Sequence, residues 1–231
     1  ATWNAPFPYI ITGDSHVTSG TTLTVNPGVI VKIKPGVRFL VDGTLNAQGT
    51  ADEKIYFTSF KDDSVGDDAN NDGDATSPSA GDWTYMRLGY NSSATANLSH
   101  CVVRYGGGGW GGWGNDSLIA VNGGSNVSID NCELAHSLSR GIRIEEVTGS
   151  VSISNSYIHD NSNNGIFSKN GSPSLTNNTF SNNGQYGLYV QGSALPSNIS
   201  GNTFSANSFG SIALGAGAAG TSIASDNSGV E

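Results

Sequence analysis

The second half of this chain repeats itself, and that repeat restricts the fold more than any other feature. Five segments align: LSHCVVR from Leu98, IDNCELA from Ile129, ISNSYIH from Ile153, LTNNTFS from Leu175 and ISGNTFS from Ile199. Their starts lie 31, 24, 22 and 24 residues apart. Units then run on to a glycine and a second short apolar segment, as in RGIRIE from Arg140, NGIFSK from Asn164 and YGLYVQ from Tyr186. Polar columns emerge as well, with Asn131, Asn155 and Asn177 in one and Asn161, Asn183 and Asn207 in another. A unit this short cannot bury its apolar face alone and gains a core only by stacking on its neighbours, which is the logic of a solenoid.

Inside the repeat the spacing is that of strands. TTLTVNPGVIVKIKPGVRFLVDGTLNA alternates apolar and polar residues in short runs, cut about every eight residues by Pro27-Gly28, Pro35-Gly36 and Asp42-Gly43. Helical 3.6-residue periodicity is almost absent, so each repeat holds about three short strands. Stacked coils place parallel strands ~4.8 Å apart, and parallel crossovers are right-handed. Asparagines in register at the bends are expected to hydrogen-bond in ladders along the stack. On its N-S-x-I and N-x-T-F coil motifs the chain resembles the right-handed parallel β-helix family, the fold of pectate lyases, phage tailspikes and many bacterial surface proteins. The resemblance implies an all-β fold, a single-stranded right-handed parallel β-helix over residues 1–231. It leaves the activity open, because that fold hosts lyases, hydrolases, adhesins and spacers alike. A leucine-rich repeat has a similar period, but its L-x-x-L-x-L-x-x-N pattern is not met.

Two stretches break the period and read as inserted loops, at about 61–82 and 106–116. The second contains YGGGGWGGWGND, in which seven glycines surround Trp110 and Trp113. It accounts for the long 31-residue interval, so both tryptophans are expected on a loop outside the stacked core. Exposed indoles mark a partner surface. The first insertion contains Asp68-Ala-Asn70-Asn-Asp72-Gly73-Asp74, the opening half of a D-x-[DN]-x-[DN]-G calcium loop. Alternate oxygen ligands around a glycine turn suit a hard cation needing six to eight oxygens. Ser79 stands where an EF-hand would place its glutamate, so Asp82, or Asp62 and Asp63, would supply the missing carboxylate. The stretch resembles dockerin-like DxNxDG loops inserted in bacterial surface β-helix proteins, which implies structural Ca2+ held by Asp68, Asn70, Asp72, Asp74 and Asp82.

Charge narrows the partners. Lys and Arg number 10 against 19 Asp and Glu, a net charge of −9, which argues against nucleic acid and permits neutral polysaccharides and calcium. No apolar run approaches the ~20 residues of a membrane span. Charged residues make up only 13%, and small polar residues abound, which suggests a secreted, extracellular or cell-surface protein. The N-terminus lacks the basic and apolar regions of a signal peptide and is compatible with a mature end. SDNSGVE forms no obvious capping helix, which suits either a loop cap or attachment to other domains of a longer chain.

Register places Arg104 and His159 in one column, with Ala135 between them, and Tyr105, His136 and Asp160 in the next. Coils ~4.8 Å apart would gather these five polar groups on one corner. Polar residues at bends ordinarily do no more than solvate a surface; these are also suitable types for a polysaccharide lyase, which needs a base near the sugar C5 proton and a cation for the uronate. A metal site at His136, His159 and Asp160 meets no tight ligand motif. The pectate lyase family's own signatures are not present. Glu145 and Glu146 are sequence neighbours and would point to opposite faces of a strand, so they make no glycosidase pair. Arg143, Phe167 and Tyr189 fall on outward positions of successive coils beside Glu145, Lys169 and Gln191, where they form either a ladder of side chains stacked on one another or a platform for sugar rings. Trp3 and Trp83 read as capping or packing residues. Cys101 and Cys132 share a column, which leaves a disulfide and two stacked thiols equally open.

The favoured reading is a non-catalytic carbohydrate-binding or adhesive module for a polysaccharide or cell-surface glycan. Its contacts would be Trp110, Trp113, Phe167, Tyr189 and Arg143. The runner-up is a polysaccharide lyase or glycoside hydrolase acting at the Arg104, Tyr105, His136, His159 and Asp160 corner. A structural spacer of a larger surface protein is the third.

Overall fold

A computed structural model describes residues 1–73, 75–109, 116–192 and 194–218. Coil by coil, the first three strands are β1 (Thr2–Trp3), β2 (Tyr9–Ile11) and β3 (Ser15–Val17). They are followed by β4 (Thr22–Val25), β5 (Ile30–Ile33) and β6 (Arg38–Val41), then β7 (Thr44–Gln48), β8 (Ile55–Ser59) and β9 (Tyr85–Leu88). The fourth coil is β10 (Thr95–Ser99), β11 (Cys101–Arg104) and β12 (Ser117–Asn122); the fifth is β13 (Asn126–Asp130), β14 (Glu133–Ala135) and β15 (Arg140–Glu145). Next come β16 (Val151–Ser154), β17 (Tyr157–His159) and β18 (Ile166–Lys169), then β19 (Ser174–Thr176), β20 (Thr179–Ser181) and β21 (Tyr186–Gln191). β22 (Asn198–Ser200), β23 (Thr203–Ser205) and β24 (Gly210–Leu214) form the eighth coil. Among the described residues every third strand joins the same sheet, giving three eight-stranded sheets, A, B and C, which start at β1, β2 and β3. Neighbouring strands run parallel in all three, for example β10 with β13, β14 with β17 and β18 with β21. No described helix is long and apolar enough to cross a membrane.

The repeat in the sequence is the coil of the structure. Leu98, Ile129, Ile153, Leu175 and Ile199 pair in register along sheet A. The first four are at most 1% exposed, so these columns are the core. Burying one such side chain stabilises the stack by roughly 1.5–3 kcal/mol. Phe180 and Phe204 continue the interior as rings stacked 4.8 Å apart.

The two asparagine columns have different roles, a distinction that spacing alone merges into one ladder. Asn131, Asn155 and Asn177 turn the chain from sheet A to sheet B with φ of 51°, 50° and 55°. Asparagine tolerates this left-handed conformation better than most residues, and one such residue per coil makes the corner. Asn161 and Asn183 are fully buried and form the true ladder. The Asn161 amide donates to Leu134 O (3.2 Å) and Asn183 Oδ1 (3.0 Å), while its own Oδ1 accepts the Ser137 N–H (3.1 Å). Asn183 repeats the pattern toward Ile158 O (3.1 Å) and Asn207 Oδ1 (2.8 Å).

A second ladder runs inside the A–B bend. There the backbone N–H of Cys101 donates to Cys132 Sγ (3.4 Å), that of Cys132 to Ser156 Oγ (3.1 Å), and that of Ser156 to Asn178 Oδ1 (3.0 Å). Of the two alternatives for the cysteines, the structure has the stacked thiols: both are free and buried.

Residues 60–84 and 105–116 interrupt the coils, and both leave sheet B for sheet C, on consecutive coils. The two excursions are zipped together at their bases. Gly81 N–H donates to Gly106 O (3.0 Å), Gly107 N–H to Thr84 O (2.9 Å) and Gly108 N–H to Trp83 O (3.1 Å). Trp83 is fully buried beneath this seam and donates its indole N–H to Arg104 O (2.8 Å). A methyl group on Gly106 would lie 2.7 Å from the Trp83 ring, and one on Gly108 would lie 2.2 Å from Gly81 O. The start of the glycine run is therefore set by close packing, where the sequence suggests only a projecting loop. Trp110 and Trp113 lie outside the described residues.

Candidate functional site

The B–C corner does gather the five residues placed there by register. Arg104 and His159 flank Ala135 in one column. Tyr105, His136 and Asp160 follow as left-handed corner residues with φ of 66°, 55° and 51°. The Tyr105 and His136 rings stack at 5.2 Å, and His136 meets His159 edge-on at 5.9 Å. Burial lowers the pKa of His136 and raises that of Tyr105.

The chemistry of the corner is dominated by ion pairs. Arg104 donates through Nε to Asp62 (2.9 Å) and through Nη2 to Ser64 Oγ (2.6 Å), while its guanidinium lies over the Tyr105 and Tyr56 rings at 5.3 and 5.7 Å. Asp62 is 1% exposed. Burial alone would raise its pKa, but hydrogen bonds from Ser64 and Thr58 and the Arg104 charge outweigh it and hold the carboxylate ionised. His159 lies between two carboxylates, with Nδ1 2.6 Å from Asp160 and Nε2 3.6 Å from Glu133, and its ring stacks on Tyr157 at 3.8 Å. Burial works against its proton; Glu133 and Asp160 overcome this and raise its pKa, while His159 lowers that of Glu133.

Asp62, Glu133 and Tyr157 are corner residues that the register argument omits. Glu133 and Tyr157 are within its reach. Each stands two residues before Ala135 or His159, hence on the same strand face, and they pair in register. Asp62 reaches the corner from the 60–84 excursion, and no periodicity predicts that.

Sheet C carries the second cluster. Arg143, Phe167 and Tyr189 are in-register neighbours, as expected, and Glu145, Lys169 and Gln191 run beside them. The Phe167 and Tyr189 rings stack at 5.7 Å, with Arg140 and Arg143 over Phe167 at 4.8 and 5.1 Å. Phe167 is thereby 7% exposed and serves as the filling of a stack, which leaves Tyr189 as the more open ring. The cations are paired: Arg140 and Arg143 with Asp116, Arg143 and Lys169 with Glu145. A groove of about 320 Å³ opens here, lined by Arg140, Asn164, Phe167, Gln185, Tyr189 and Gln191. Asp116, which ends the glycine-rich excursion, bonds both arginines at its rim.

In the 60–84 excursion, Asp63, Asp68 and Asp72 bring one carboxylate oxygen each to within 4.8 Å of the others. Asp63 Oδ1, Asn70 Oδ1 and Asp72 Oδ1 are buried without a hydrogen-bond partner among the described residues. Lys32 Nζ lies 3.7 Å from Asp63. Asp68 closes the turn by accepting the Gly73 N–H (2.8 Å) and the Asp72 N–H (3.2 Å), and the Gly73 bond lowers its pKa. An all-oxygen set with orphaned acceptors fits a hard cation such as Ca2+. Asp82 has another role, at the base of the excursion, where it takes Ser59 Oγ (2.6 Å), Lys61 Nζ (2.8 Å) and Ser79 N–H (3.0 Å). Asp63 is the third carboxylate of the cluster in its place. Asp74 lies outside the described residues.

Three parallel sheets wound as one stack define a β-helix solenoid. A family model described as the right handed beta helix region matches residues 88–228, and the chain belongs to that family. No curated protein and no solved structure matches it.

Proposed function

We propose that this β-helix is a non-catalytic carbohydrate-binding or adhesive module, secreted or displayed at the cell surface, with the sheet C groove as its glycan subsite. The observation that carries the reading is the meeting in one groove of Tyr189, Gln185, Gln191 and Arg140, with Asn164 held in its wall by Asn163 and the Tyr186 N–H. An aromatic face stacks on the C–H side of a sugar ring, while amides and a planar guanidinium pair with its hydroxyls. Every cation of the cluster has a carboxylate partner and the chain carries −9, which favours a neutral glycan over a polyanion. The Arg104 corner supports binding over lyase or glycosidase chemistry, because Arg104 is held by Asp62 and Ser64, and His159 by two carboxylates. Trp110 and Trp113 belong to the same proposal, on the segment that ends at the groove rim.

The test is titration of neutral plant, algal and bacterial polysaccharides, followed by tryptophan and tyrosine fluorescence. Tyr189→Ala is expected to weaken binding about tenfold, the equivalent of ~1.4 kcal/mol, with the far-ultraviolet spectrum unchanged. Equal affinity of Tyr189→Ala and the parent would remove the groove from the proposal.

Calcium is the structural ion of this reading, held by Asp63, Asp68, Asn70 and Asp72. Ca2+ at about a hundred times its Kd adds ~2.7 kcal/mol, which for a chain of this size raises Tm by about 5–10 °C. Chelation is expected to reverse the gain, and Asp72→Ala to abolish it. A Tm indifferent to chelator would end the calcium assignment.

A further inference from the structure

The inner column of the A–B bend runs Ile55, Cys101, Cys132, Ser156, Asn178 and Asn202, each at or directly before the start of a sheet B strand. From Cys132 onward, each ladder side chain accepts the N–H of the coil before it. The same side chains donate to nearby carbonyls. Ser156 Oγ bonds Ser154 O (2.7 Å), Cys132 Sγ bonds Asp130 O (3.3 Å), and Cys101 Sγ bonds Ala47 O (3.3 Å). Serine and asparagine perform this task with stronger donors than a thiol. The two coils that carry sulfur are adjacent, so both thiols occur side by side.

Neighbouring parallel strands set the two Cα atoms about 4.8 Å apart, within the ~4.4–6.8 Å range of a disulfide. Cys132 Sγ already points back at Cys101, whose N–H it accepts at 3.4 Å. The side chains are buried, at 1% and 3% exposure, yet both line a groove of about 400 Å³ together with Lys54, His100, Glu133 and Tyr157. That groove gives a small oxidant a route to the bend.

We propose that Cys101 and Cys132 form a redox-convertible dithiol, oxidised to an inter-coil disulfide by a low-molecular-weight disulfide such as glutathione disulfide. The Cys132 thiolate attacks one sulfur of the oxidant, breaking its S–S bond and releasing one thiolate, which takes up the proton that Cys132 gave up. Cys101 then loses its proton and attacks the Cys132 sulfur of the mixed disulfide, expelling the second thiol. Two protein thiols and one oxidant disulfide thus become one protein disulfide and two small thiols. The order of attack follows from the Cys101 N–H, which donates to Cys132 Sγ (3.4 Å) and stabilises a thiolate there. Interaction between the two thiols, with burial behind it, raises the pKa of Cys101, and the same interaction lowers that of Cys132. The product closes a covalent ring across residues 101–132, which encloses the whole glycine–tryptophan excursion.

The experiment treats the folded protein with glutathione disulfide and follows free thiols and intact mass. The expected result is loss of both thiols together, with a mass lower by two hydrogens. Cys101→Ser is expected to stop at a single glutathione adduct on Cys132. Cys132→Ser keeps the ladder, because Ser156 fills the same position one coil on, and is expected to leave Cys101 unmodified. Two thiols that survive in the folded protein and oxidise only in urea would overturn the proposal, as would a Cys101→Ser variant that gains no adduct.

Discussion

Asn161→Ala is expected to destabilise the protein by about 3–5 kcal/mol in urea unfolding. The Asn161 side chain is fully buried and makes three hydrogen bonds, to the Ser137 N–H, to Leu134 O and to Asn183 Oδ1. Alanine removes the side chain and leaves the Ser137 N–H and Leu134 O without it inside the bend, where each unsatisfied polar group costs about 1–3 kcal/mol, while Asn183 Oδ1 keeps the residue 161 N–H. The cavity adds to the loss. Asn131→Gly is the matched control, since Asn131 is exposed and serves mainly to hold φ at 51°, which glycine adopts freely. Its expected change is under about 1 kcal/mol. Equal effects at the two positions would contradict the separation of ladder from corner.

Arg104→Met is expected to cost about 3–5 kcal/mol, because it leaves a carboxylate buried without its cation. Asp62 is 1% exposed and would retain only Thr58 and Ser64 as side-chain donors. The double variant Asp62→Asn/Arg104→Met removes the stranded charge and is expected to recover most of the loss. The same pair sets a pH dependence. The folded pKa of Asp62 lies below its ordinary 3.8, so its contribution is complete above that value and disappears as the pH falls through the folded pKa. Acid titration of stability is therefore expected to lose this component in Asp62→Asn. For the corner as a whole, loss of function in an Arg104 variant would report first on the anchoring of the 60–84 excursion. Any catalytic interpretation has to be read against the double variant.

Much of the fold was legible because stacking turns sequence period into spatial register. The alignment of Leu98, Ile129, Ile153, Leu175 and Ile199 became a column of paired residues without a slip. The same arithmetic brought Arg104, Tyr105, His136, His159 and Asp160 to one corner. Period gives position, however, and says nothing of conformation. Asn131 and Asn161 are alike in composition and spacing, yet one sits in the left-handed region and the other satisfies buried backbone groups.

The excursions escape register altogether. Exchange of Asp82 for Asp63 in the acidic cluster depends on how residues 60–84 fold back, with Asp82 claimed by Lys61 and Ser59 at the base. Phe167 illustrates a third limit. Its column was readable, but its cover by Arg140 and Arg143 comes from long side chains of the preceding coil, which alternation places on a face without fixing their reach.

Both excursions leave the stack at the same corner, one coil apart, and the pairing of Ser117 with Arg140 restores register straight after the second. The strand columns therefore do not register how much chain is inserted there. A lineage could lengthen or shorten either segment beyond its base and leave the inward columns untouched, so that edge is the molecule's natural grafting site, provided that Asp62 and Trp83, buried at the base of the first segment, are kept. Gly81 and Gly106 qualify that freedom: their shared seam means that the two segments are inherited best as a pair.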